Sequence, residues 1–185
     1  MLCKLLNKYF MKKVMELLAL LTIAAGIWSF DAKPREAIKW MSMKELEAAY
    51  KKEPRPILID LYTKWCGWCK EMDRTTYRNS KVVAYMNQHY YAVKFDAELN
   101  ADVVFDNKIF KFNKALRAHE LALHLSYGQL EFPTTVFLEN PAAMPAPLPG
   151  FLKAKELEAP LKYFAEADRK GESFIDFNRN FRSQW

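Results

Sequence analysis

The amino-acid sequence predicts a three-layer α/β domain, a central sheet covered on both sides by helices. Three observations predict it. Short apolar and β-branched runs alternate with segments of helical period along most of the chain. One run, Ile57-Leu58-Ile59-Asp60-Leu61-Tyr62, is apolar on both faces except at Asp60, the mark of a strand in the middle of a sheet. It leads directly into Trp65-Cys66-Gly67-Trp68-Cys69-Lys70, a Cys-x-x-Cys pair at a strand-to-helix junction. With 185 residues, 51% of them apolar, the chain is long enough to bury a substantial core as one domain.

The N-terminus reads as an export signal. Lys12 and Lys13 precede an apolar core, 17–27, and small residues (Ala24, Ala25, Gly26, Ser29, Ala32) follow toward its end. The segment is either cleaved or kept as an anchor. It falls short of the ~20 apolar residues of a spanning helix, which favours cleavage. Met11 is a more natural start than Met1. The expected organisation is a signal peptide or anchor over 1–32 and a single domain over 33–185, exported to the periplasm or cell envelope.

The remaining elements follow in order. A short strand is expected at 37–40. Ser42-Met43-Lys44-Glu45 is a capping box that starts a helix presenting Leu46, Ala49 and Tyr50 to the core, and Pro54 and Pro56 end it. The central strand runs over 57–63. A helix from Cys66 passes Met72 and breaks near Arg78-Asn79-Ser80, then resumes over 81–89. The next strand is 90–96. Residues 102–130 read as an insertion: two short strands flank Asp106-Asn107, a pair suited to the positive φ of a tight hairpin. Asn113 then caps a helix through Leu125 that stops at Gly128. Phe132-Pro133 opens a strand through Leu138, 141–149 is a proline-rich connection, and Phe151-Leu152 end a last strand. Helical segments over 156–167 and 173–181 close the chain, with Pro160 starting a fresh turn or a kink and Phe174, Phe177 and Phe181 facing the body.

Charge and cysteine usage narrow the function. The net charge is +6, but Lys and Arg are interleaved with acids, and no basic stripe suited to nucleic acid emerges. Of three cysteines, Cys3 leaves with a cleaved leader, and Cys66 and Cys69 remain to act on each other. Structural zinc needs four ligands, and His119 and His124, five apart, sit about 140° apart on a helix. Haem attachment would need histidine where Lys70 stands. No metal and no cofactor is expected beyond a redox-active Cys66–Cys69 disulfide.

A thiolate is the attacking species in thiol–disulfide exchange, and a helix N-terminus lowers a cysteine's pKa. Cys66 is therefore the expected nucleophile and Cys69, one turn on, the resolving thiol. Gly67 permits close approach of a partner. Trp65 and Trp68 either flank the sulfurs with apolar surface or pack in the core. Lys70 is read as a helix-surface charge.

Several separated features together resemble the thioredoxin-like family. They are Asp60 six residues before Cys66, Trp65-Cys66-x-x-Cys69-Lys70, Lys94-Phe95-Asp96 on the following strand, Pro133-Thr134, and Gly150 before the last helices. The likeness spans about 38–167 and is nearest to exported members, such as the C-terminal domain of membrane thiol:disulfide interchange reductases. Two departures stand out: Gly67-Trp68 replaces the Gly-Pro of ordinary thioredoxins, and the 102–130 insertion is additional. The resemblance implies a thioredoxin fold with a central mixed sheet. It implies that Asp60 accepts a proton from Cys69, with Lys94 as its electrostatic neighbour; a solvent-exposed strand-end aspartate is the alternative. It implies that Pro133 is cis, leaving the Phe132 backbone free to pair with a bound peptide. Partners would be protein or peptide thiols and disulfides, with a membrane electron donor for a reductase. An isomerase, an oxidase or a binding and chaperone module are the other readings. Very oxidising members tend to carry histidine where Trp68 stands, which favours the reducing direction.

Overall fold

The computed structural model of the protein describes residues 11–13, 15, 36–165 and 171–185; Cys3 and the apolar run 17–27 lie outside them. The chain forms two compact units, Met1–Arg35 and Glu36–Trp185. In the first, residues 11–13 are helical and exposed. Among the described residues no helix is long and apolar enough to cross a membrane.

The sheet of the second unit has five strands: β1 (Trp40–Met41), β2 (Ile57–Tyr62), β3 (Tyr91–Asp96), β8 (Thr134–Leu138) and β9 (Ala146–Pro149), in the order β1-β3-β2-β8-β9. β1 and β2 run parallel to β3, whereas β2–β8 and β8–β9 are antiparallel, giving the mixed sheet expected. β2 lies at the centre and is buried from Ile57 to Leu61. Its period of two divides the core. Ile57, Ile59 and Leu61 pack with Leu46 of α1 (Met43–Tyr50) and Leu121 of α4 (Glu120–Leu125). Leu58 faces the opposite way, toward Met72, Val82, Met86 and Leu157. Each of these fully buried aliphatic side chains contributes on the order of 1.5–3 kcal/mol.

Helix starts follow their caps. Ser42 caps α1 in a complete capping box with Glu45. α2 (Gly67–Arg74) begins on Cys66 and ends where the Thr75 hydroxyl donates back to the Glu71 carbonyl at 2.7 Å. A 3-10 turn, Thr76–Arg78, follows, and Asn79 Oδ1 accepts from the backbone N–H of Lys81 and Val82 to start α3 (Ser80–His89). The break expected near Arg78-Asn79-Ser80 is thus a cap.

The insertion departs from expectation in one part. β4 (Val103–Phe105) and β5 (Lys108–Phe110) form the hairpin, with Asp106 at φ 49° and Asn107 at φ 58°. Asn113, however, starts no helix. It belongs to β6 (Phe112–Asn113), paired with β7 (Ala118–His119), and its side chain accepts from Leu116 N–H within the connecting turn. Arg117 at φ 51° breaks any helical path there. The helix begins only at Glu120, capped by His119, whose Nδ1 accepts from Leu121 N–H at 3.1 Å. His119 is fully buried, and His124 is exposed.

The last strand also lies elsewhere. β9 falls inside the proline-rich connection, and Phe151-Leu152 form no strand. Pro147 and Pro149 alternate along an edge strand, where a missing N–H can face outward. α5 (Ala154–Ala165) carries Pro160 within a continuous helix, and α6 (Phe174–Asn180) leans Phe174 and Phe177 on Tyr163. Glu158 of α5 is fully buried: it accepts from Lys162 Nζ at 2.7 Å, from Ser183 Oγ and Gln184 N–H at 2.7 Å each, and from Trp185 N–H at 3.1 Å. The C-terminal residues are thereby tied to the domain.

Candidate active site

The two cysteines sit where β2 hands over to α2. Cys66 is the N-cap of the helix, and its sulfur accepts the backbone N–H of Cys69 at 3.0 Å. The pair forms a disulfide with a Cα–Cα separation of 5.3 Å. Both residues are nearly covered, at 5% and 3% exposure. An N–H directed at Cys66 Sγ and the positive end of the helix would stabilise a thiolate there once the bond is reduced. No equivalent donor serves Cys69 inside the helix. Gly67 has open space where a Cβ would stand, so no described residue demands a glycine there.

Both tryptophans are on the surface, Trp65 at 66% and Trp68 at 63% exposure, which removes core packing as their explanation. Trp65 is nonetheless held: its indole N–H donates to Glu98 Oε1 at 3.0 Å, and its ring meets Phe132 edge-on with centroids 6.1 Å apart. Trp68 leans on Phe151, 5.6 Å away, on the helix side. The Phe132–Pro133 bond is cis, and Pro133 O accepts from Gly150 N–H at 2.8 Å. Gly150 has φ 97°, which explains glycine at that position. Phe132 lies just before β8 and has no register partner on β2 or β9.

Asp60 is buried at 1% exposure, not at a solvent-exposed strand end. Its register partners are Lys94 on β3 and Thr135 on β8. Lys94 Nζ stands 3.5 Å from Asp60 Oδ2 and also bonds Asp73 Oδ1 of α2. It lies over the rings of Tyr62 (4.9 Å) and Trp40 (5.6 Å). Burial pushes the Asp60 carboxyl up to about 6; Lys94 opposes the rise and Asp73 adds to it. A carboxyl near 6 can take and return a proton close to neutral pH. Lys70 is exposed on α2, as expected for a helix-surface charge.

Four neighbours of this site escaped the sequence reading: Asp73, Tyr77, Glu98 and Phe151. Asp73 is four residues past Cys69, so helical period alone could have placed it on the cysteine face. The other three depend on tertiary contacts and carried no local signal.

The sequence profile of the Thioredox_DsbH family, described as a protein of unknown function (DUF255), matches residues 30–148. The chain is 29% identical over 126 residues to a thiol:disulfide interchange protein DsbD of Pectobacterium atrosepticum, covering 67% of this chain and 19% of that one. It is 35% identical over 57 residues to the DsbD of Ralstonia nicotianae, covering 31% of this chain and 9% of that one. The chain thus spans about a fifth or less of the length of these relatives. Among solved structures, a DsbH oxidoreductase superposes with a TM-score of 0.52 at 17% identity, covering 76% of this chain and 93% of that one. A thioredoxin from Thermus thermophilus gives 0.50 at 17% identity, covering 69% and 86%. The chain belongs to the Thioredox_DsbH family, among the thioredoxin-like thiol:disulfide oxidoreductases related to DsbD.

Proposed function

We propose that the protein is a reductase of disulfides in exported proteins, recharged by a dithiol donor in the membrane. The observation that carries this reading is Cys66 at the start of α2, with Cys69 N–H on its sulfur, between two exposed tryptophans. In the reduced protein the Cys66 thiolate attacks one sulfur of a substrate disulfide. A protein–substrate disulfide forms, the substrate S–S bond breaks, and the leaving thiolate takes a proton from solvent. Asp60 accepts the Cys69 proton, and the Cys69 thiolate attacks Cys66 Sγ. The Cys66–Cys69 bond closes and the bond from Cys66 to the substrate breaks. The second substrate sulfur leaves as a thiolate that takes a proton from solvent, Asp60 returns its proton to solvent, and two electrons have passed to the substrate. A donor dithiol must then reduce the protein's own disulfide.

The reducing direction is supported by the surroundings of Cys66. A cation beside it would stabilise the reduced thiolate and make the protein an oxidant. The dipeptide instead supplies Trp68, while Lys64 pairs with Asp96 at 3.6 Å. Export is supported by the apolar core at 17–27 behind Lys12 and Lys13. An extended peptide could lie between Trp65 and Trp68, pairing with the Phe132 backbone beside cis-Pro133.

The test is dithiothreitol-driven reduction of insulin, with the pair's redox potential measured against glutathione. A reductase gives turnover that Cys66→Ala abolishes and a potential near that of thioredoxin. A potential in the range of the strong oxidants overturns the direction. A partner complex retained by Cys66→Ala without any turnover points instead to a binding module built on 102–130.

A further inference from the structure

Asp60 has two carboxylate oxygens, and Lys94 accounts for Oδ2. The other, Oδ1, is buried with no hydrogen-bond partner among the described residues. Two hydroxyls nearby share that condition, those of Tyr77 and Thr135. The topology brings them together. Leu58 and Asp60 present the same face of β2, Thr135 and Phe137 the same face of β8, and Thr135 is the register partner of Asp60. Tyr77, from the 3-10 turn after α2, packs in the cluster that contains Leu58 and Phe137. Its ring is fixed edge-on against Trp40, with centroids 5.0 Å apart.

We infer that Tyr77 is a positioning residue for Asp60: its phenol donates to Oδ1 when the carboxyl ionises, and the Thr135 hydroxyl donates to the phenol oxygen in turn. The donor count fits. Two hydroxyls and one acceptor oxygen satisfy one another in series, whereas three isolated buried polar atoms would each carry an uncompensated desolvation cost. A phenylalanine would fill the same space, so packing accounts for the ring and not for its hydroxyl. The phenol is held well above its ordinary pKa, first by burial and then by the Asp60 charge, so it stays a donor at any working pH. The charged groups acting on Asp60 are Lys94 from β3 and Asp73 from α2; Tyr77 supplies a neutral donor. The division of labour follows: Lys94 provides charge at one oxygen, and the hydroxyl pair directs the other, keeping a deeply buried carboxyl ionisable during resolution.

This inference rests on Asp60 serving as proton acceptor, so its test reads the carboxyl apart from turnover. The Asp60 side-chain carbon is followed by NMR across pH 4–9 in the reduced full chain, for the native protein, Tyr77→Phe and Thr135→Val. Loss of a hydrogen bond to a charged group is expected to move the Asp60 midpoint upward by about one pH unit in Tyr77→Phe. Thr135→Val is expected to move it in the same direction by less. An unchanged midpoint in Tyr77→Phe overturns the inference, and if that variant folds poorly an unchanged midpoint in Thr135→Val does so. In parallel, the pH dependence of mixed-disulfide resolution should shift with the midpoint, and Asp60→Asn should make it insensitive to Tyr77→Phe. A moved midpoint with an unmoved kinetic profile upholds the hydroxyl pair and removes Asp60 from the resolution step.

Discussion

Replacing Asp60 by Asn is expected to stabilise the oxidised protein at neutral pH and to remove a defined part of its pH dependence. The buried carboxyl titrates near 6 in the folded chain, against an ordinary value of 3.8. Between those values the native state holds more protons than the unfolded chain, so stability falls as pH rises from about 4 to about 6 and is level above that. A rise of this size is worth about 3 kcal/mol, and at 1% exposure little of it is screened by solvent. Urea unfolding of the oxidised native and Asp60→Asn proteins at pH 4, 5, 6 and 7.5 measures the difference, with the other carboxylates cancelling between the two. The variant should be of similar stability near pH 4 and more stable by about 3 kcal/mol at pH 7.5. A difference that is flat with pH, or that grows toward acid, refutes the burial argument. Confirmation would mean that the fold sustains a destabilising charge at its centre, as functional sites do.

Three further outcomes follow from the same geometry. Cys69→Ser should accumulate mixed disulfides on Cys66, visible on non-reducing gels, while Cys66→Ser should accumulate none; the reverse pattern would exchange their roles. Glu98→Ala frees the Trp65 indole, losing a hydrogen bond worth about 1 kcal/mol, and should raise KM for peptide disulfides by about fivefold while leaving the pH dependence of Cys66 alkylation unchanged. Glu158→Gln should destabilise the protein by about 2 kcal/mol at neutral pH and speed hydrogen exchange at the Gln184 and Trp185 amides. Burial alone would raise the Glu158 carboxyl, but Lys162, Ser183 and the Gln184 N–H hold it below its ordinary value, so its contribution is present above about 4.5 and fades as pH falls.

Features encoded in local chemistry could be read before the fold was known. An uninterrupted apolar run identifies β2 because a central strand is covered on both faces. Asp106-Asn107 announces its hairpin because few residues tolerate positive φ in succession. Cys66 and Cys69 stood out as a Cys-x-x-Cys pair at a strand-to-helix junction, whereas Asp60, Lys94 and Pro133 were singled out only through the resemblance to the thioredoxin-like family. What was not legible depends on partners distant in sequence. The segment after Asn113 has helical composition, yet 114–117 close a hairpin turn, and the buried His119 ring with its bond to the Ala101 carbonyl holds Ala118–His119 extended before Glu120. Prolines disguised β9, since an edge strand tolerates them and a central one does not. Glu158 reads as one more acidic helix residue until the C-terminal amides reach it. Tyr77 reads as core, because periodicity reports its ring and is silent about its hydroxyl.

The two ends of the sheet bear on how the protein handles extended chains. β1 is two residues long, and β9 carries prolines at alternate positions. An unfolded polypeptide meeting either margin finds no run of backbone groups on which to template a strand. The Phe132 backbone beside cis-Pro133 has no register partner in the sheet, and the Phe132 ring meets that of Trp65, the residue before Cys66. Blunting the margins therefore does more than protect against self-association. On the proposed reading, main-chain pairing of a client at Phe132 would coincide with its presentation to Cys66, and the blunted margins offer no competing place for it.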